Sequence, residues 1–145
     1  MINERFFRYA SHTKWIFFMW ALFGILIEII TPTAKFVSTV GFSIFLMGIF
    51  LGLDSLYTSA RLLEKSKNTT KSNFKISVLF LLAVIVITVG NSIFLFSAQH
   101  VNPALKPHVI EQLHNVAYGT LSLALGMLCT LKKLFDAYRE AHSNE

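Results

Sequence analysis

Four apolar stretches, Trp15 to Ile30, Phe36 to Leu53, Ile76 to Ala98 and Val116 to Leu131, constrain this chain more than anything else in it. They count 16, 18, 23 and 16 residues. At about 1.5 Å per residue they reach roughly 24 to 35 Å, against a bilayer hydrocarbon core of ~30 Å. The third is long enough unaided. The others borrow length from their flanks: Thr31 to Ala34, Asp54 to Tyr57, and His114 with Asn115. The runs are too long for strands and lack period-two alternation, so helix is the only reading.

Composition removes the competing classes. Of the 145 residues, 54% are hydrophobic and 14% charged, with a mean hydropathy of +0.56. A soluble domain carries roughly 25% Asp, Glu, Lys and Arg. A water-soluble domain, a disordered chain and a fibrous repeat are therefore excluded. The expected fold is an all-α, four-helix transmembrane bundle, one integral membrane domain with antiparallel neighbours and spans at about 15–34, 36–57, 75–98 and 114–132. Arg5, Arg8 and Lys14 ahead of the first apolar run resemble the start of a signal peptide, but Glu28 within the run and Pro32 just after it argue for a retained span.

The net charge of +5 reads as orientation. Of thirteen Lys and Arg residues, three precede the first span, five (Arg61, Lys65, Lys67, Lys71, Lys75) separate spans two and three, and three (Lys132, Lys133, Arg139) follow span four. Only Lys35 and Lys106 fall on the other side. The positive-inside rule then places both termini in the cytoplasm, with the bacterial plasma membrane as the default compartment. Basic residues explained this way leave no case for nucleic acid as a partner. Tyr9, Trp15 and Tyr57 fall at the inner interface and Tyr118 toward the outer one, where aromatic rings anchor. Asn68-Thr69-Thr70 fits a glycosylation acceptor by chance, on the cytoplasmic side. Residues before Lys14 suit a short interfacial helix, and Lys132 to Ala141 an extension of span four in which Lys132 and Asp136 pair.

Small residues suggest how the helices meet, since close backbone approach drives packing in lipid. Span two carries Gly41, Gly48, Gly52, Ser55 and Ser59 on one face, including the Gly48-x-x-x-Gly52 motif. Span four carries Gly119, Ser122 and Gly126, and span one Ala21 and Gly24 leading to Glu28. Two readings fit: packing within one chain, or a homodimer along span two. Leu51-Gly52-Leu53 and Leu125-Gly126-Met127 also stand in similar positions before basic ends, a faint trace of internal duplication.

Polar residues inside a span need partners or water. Measured from the inner boundary, Glu28, Ser43 and Tyr118 lie at about 21 Å and Asn91 at about 24 Å, one from each helix, in a common layer. That layer either fixes helix register or makes Glu28 a proton- or cation-responsive carboxylate in a transport path. Asp54 sits near the inner interface, within reach of Lys14 or Lys132. On the outer side, Glu111 and His114 are three apart and share a helical face, with His108 one turn earlier; these are the candidate metal ligands, half of a Glu-x-x-His di-iron pattern without its second half.

No phosphate loop, Ser/His/Asp grouping or Cys-x-x-Cys is present, Cys129 is the lone cysteine, and no pair of facing histidines suits a haem. No cofactor is called for, and nothing demands an enzyme. The first reading of function is a small non-catalytic accessory or interaction protein of the membrane, partnered by lipid and by a second copy or a larger complex. An oligomeric transporter or channel built on Glu28 and an outer-face metal or redox protein are the alternatives.

Overall fold

Hydrocarbon offers no hydrogen bonds, so a spanning backbone must satisfy itself within the segment. The computed structural model describes residues 4–31, 36–56 and 60–143, which are helical except for short connections. The helices are α1 (Glu4–Ile30), α2 (Phe36–Ser55), α3 (Ala60–Lys67), α4 (Lys71–Val101) and α5 (Pro107–His142). The flanks at 32–35 and 57–59, with Tyr57 and Ser59, lie outside the described residues.

Local chemistry sets the helix ends. Thr31 Oγ1 donates to the Ile27 carbonyl at the close of α1. Thr70 caps α4, its side chain accepting from the Asn73 amide. Asn102-Pro103 follows α4, and Pro107 opens α5, where the missing N–H costs nothing. Among the described residues the chain before Lys14 is the first part of α1 itself and not a separate helix. α5 continues past Lys132 to His142, as the sequence suggested. The connection between α2 and α4 holds the short helix α3, packed on α5.

Three helices are long and apolar enough to cross a membrane, over Ser11–Ile30, Phe36–Ser55 and Lys71–Val101. α5 is longer still, at 36 residues, but less apolar. Its position explains the difference. Among the described residues α5 is flanked by α2 on one side and α4 on another, while α1 approaches only α2 and α4 only α5. The long helices thus lie in one open row, α1, α2, α5, α4. α5 buries Ala117, Gly119, Ala124, Gly126 and Ala137 against its neighbours, so small residues replace large apolar ones where protein replaces lipid. The outer helices show the opposite pattern, with Trp20, Phe23 and Ile30 of α1 and Leu79, Phe80, Val86 and Ile87 of α4 all exposed.

The directions follow from the pairs. Trp20 meets Phe42, and Lys14 meets Asp54, so α1 and α2 are antiparallel. Ser92 donates to the Ala117 carbonyl at 2.9 Å and Phe74 stacks on Tyr138 at 3.9 Å, so α4 and α5 are antiparallel too. The central pair departs from the antiparallel arrangement expected of neighbours. α2 and α5 run in the same direction, because two hairpins lie side by side with their second helices in the middle.

Glycine spacing builds that central contact. Gly41 and Gly48 are seven residues apart on α2, and Gly119 and Gly126 are seven apart on α5. A Cβ on Gly41 would stand 2.8 Å from the backbone of Asn115 and Val116, and one on Gly48, Gly119 or Gly126 would come under 3.0 Å from backbone of the facing helix. Gly52 takes no part, with nothing within 4 Å of a Cβ placed there. Gly126 thus faces Gly48 across the contact.

Candidate functional site

Polar side chains within the helices are the groups that need an explanation, and most of the hydroxyls find one locally. Thr88, Thr130 and Ser97 donate to carbonyls four residues back, at 2.7, 3.0 and 2.9 Å, which satisfies them without leaving their own helix. A second set ties helices together. Asn115 Nδ2 donates to Ser38 Oγ at 3.1 Å, Ser122 Oγ donates to the Phe45 carbonyl at 3.1 Å, and Lys133 Nζ donates to the Asp54 carbonyl at 2.6 Å. These three contacts run the length of the α2–α5 contact beside the glycines.

Asp54 is the hub of the basic end. Its carboxylate takes Lys14 of α1 on one oxygen and Lys133 of α5 on the other, the latter at 2.9 Å. Three helices thus close on a single acid. Lys14 also stands over the rings of Trp15 and Phe50, 5.8 and 5.9 Å from their centroids, a cation–π contact that shields it further. The expected pairing of Asp54 with Lys14 is present; the second partner is Lys133, whereas Lys132 turns outward to Asp136. Adjacent helix positions point about 100° apart, so the neighbouring lysines face different surroundings.

The four residues expected in one layer divide into two pairs. Glu28 and Ser43 are inside, with Glu28 only 5% exposed and Ser43 buried facing Gly24. Glu28 is not without a partner. Asn91 is exposed on α4 and makes no side-chain hydrogen bond among the described residues. Tyr118 is 58% exposed, its ring edge-on to Phe96. The depth estimate placed all four at one level, but depth does not fix rotation about each helix. In an open row, α4 has no α1 to face.

Tyr118 lines a groove of about 380 Å³ along the α2–α5 contact, with Ser38, Gly41, Phe45 and Asn115.

His108 and Glu111 are exposed and His114 half-buried against the Phe96 ring. Among the described residues no group of three or more His, Cys, Asp or Glu side chains is arranged to hold a metal. The physical reason is rotational. Each three-residue step falls about 60° short of a full helical turn, so His108 and His114 point roughly 120° apart and cannot converge without a second element.

No protein-family model, no curated protein and no solved structure matches this chain.

Proposed function

We propose that this is a multi-pass membrane protein of four spans with both termini cytoplasmic, acting without catalysis as an accessory protein that associates through its outer helices. Four spans are supported by the pairing of α5 with α2. A helix packed in parallel along Gly41 and Gly48 of a membrane-crossing helix shares its depth. Orientation is supported by the described basic side chains, since Lys14, Lys71, Lys75, Lys133 and Arg139 fall at one end of the row and Lys106 at the other.

The observation that carries the association is Asn91. It lies about 24 Å along α4 from Lys75, still within a ~30 Å hydrocarbon core, exposed and with no side-chain partner among the described residues. An amide in lipid is satisfied by an amide or carbonyl of another helix, at about 0.6 to 2 kcal/mol per contact. The small-residue face of α2 cannot serve, because α5 covers it.

Asn91→Cys, in a background with Cys129→Ala, is expected to crosslink in native membranes to another polypeptide or a second copy. Asn91→Leu is expected to lower recovery of that associated species while leaving the monomer folded. If Asn91→Cys yields only monomer, and Asn91→Leu migrates and copurifies like the parent, association through α4 is wrong.

A further inference from the structure

Where α4 meets α5 at the basic end, the two helices border an apolar groove of about 350 Å³. Val78 and Leu82 of α4 and Phe135 and Tyr138 of α5 line it, with Lys71 and Lys75 at its polar end. Positions 71, 75, 78 and 82 recur at four, three and four residues, so they form one stripe on α4 that is basic for one turn and apolar beyond it. Phe74 supports it from beneath, buried, stacked on Tyr138 and edge-on to Phe135. Both lysines are exposed, neither makes an ion pair among the described residues, and no acidic side chain lines the groove.

We propose that this groove binds an anionic phospholipid, its phosphate against Lys71 and Lys75 and an acyl chain along Val78, Leu82 and Phe135. Lys75 immediately precedes the apolar run, which puts the ammonium groups at headgroup level and the stripe within hydrocarbon. Lys71 to Leu82 covers about 16 Å, close to the ~15 Å depth of one leaflet's chains. Paired cations above an apolar inter-helix groove are complementary to a phosphate carrying two acyl chains, and each basic group near a membrane surface contributes roughly fivefold in affinity. The site is separate from Asn91 and requires no protein partner.

The test uses the purified full-length chain in native mass spectrometry, titrated with phosphatidylglycerol, with phosphatidylcholine of the same acyl chains, and with inorganic phosphate. The expected result is a preference for phosphatidylglycerol of about tenfold or more, which K71Q/K75Q reduces to within about twofold, K71R/K75R restores and K132Q leaves unchanged. Val78→Trp, filling the groove, is expected to weaken both lipids about fivefold. The exposed lysine variants keep the test valid if Val78→Trp fails to fold. Equal binding of the two lipids, a preference untouched by K71Q/K75Q, or displacement of lipid by inorganic phosphate would each overturn the proposal.

Discussion

Individual residues divide sharply by whether a neighbour already occupies the space beside them. Gly48 and Gly126 face backbone across the α2–α5 contact, whereas Gly52 faces nothing. Gly48→Val or Gly126→Val is therefore expected to destabilise the protein by about 1–3 kcal/mol or more through forced separation of the helices. Gly52→Ala is expected to be neutral, or to gain up to ~1 kcal/mol from helix propensity. Thermal unfolding in detergent distinguishes these outcomes. The adjacent lysines make a second contrast. Lys132 and Asp136 are 80% and 59% exposed, so Lys132→Gln is expected to change stability by less than ~0.5 kcal/mol. Lys133 and Lys14 are mostly enclosed around Asp54. Asp54→Asn strips both of their counter-charge and is expected to cost about 1–3 kcal/mol, more than Lys133→Gln, which leaves Lys14 to neutralise the acid. Denaturant titration of the three variants side by side tests that order. The sequence already pointed to Asp54 and Lys14 from depth alone. It named Lys132 where the structure has Lys133, because hydropathy reports position along the helix axis and not rotation about it.

Among the helices, position in the row governs composition. α1 and α4 each have one long-helix neighbour and expose Trp, Phe, Ile and Leu widely, while α5 has two and is rich in Ala and Gly where it is buried. This is why α5 is the least apolar of the four long helices, and why a hydropathy window sees it least well. The four helices themselves were readable from uninterrupted apolar runs. Their parallel central pair was not, since nothing in an apolar run states which neighbour it will meet. The seven-residue spacing of Gly41 with Gly48 and of Gly119 with Gly126 was the available signal, obscured by the more familiar Gly48-x-x-x-Gly52. Ser92 donates an inter-helix hydrogen bond to the Ala117 carbonyl, tying α4 to α5 in the outer half. Ser92→Ala is expected to cost about 0.6–2 kcal/mol and to loosen α4 before α2, seen as earlier amide exchange in α4 than in α2 by hydrogen–deuterium exchange.

At the scale of the molecule, two hairpins joined by the segment containing α3 meet along one glycine-lined contact. Among the described residues only the α2–α5 pairing packs one hairpin on the other, since α3 packs on α5 alone. Residues 1–58 and 59–145, expressed together as separate chains, are expected to copurify, and Gly48→Val is expected to abolish that recovery. The open row also accounts for the failure of the four-residue polar layer. A closed bundle would turn Asn91 inward toward Glu28; a row leaves Asn91 at the edge, where another helix can reach it. The central claim is that α5, below the hydropathy expected of a membrane span, crosses beside α2. Single cysteines at Ala104 and Ser143, in a Cys129→Ala background, label oppositely with a membrane-impermeant thiol reagent if it does. Ala104→Cys is then modified in intact cells, and Ser143→Cys only after the membrane is opened. Modification of both positions from the same side would contradict the account.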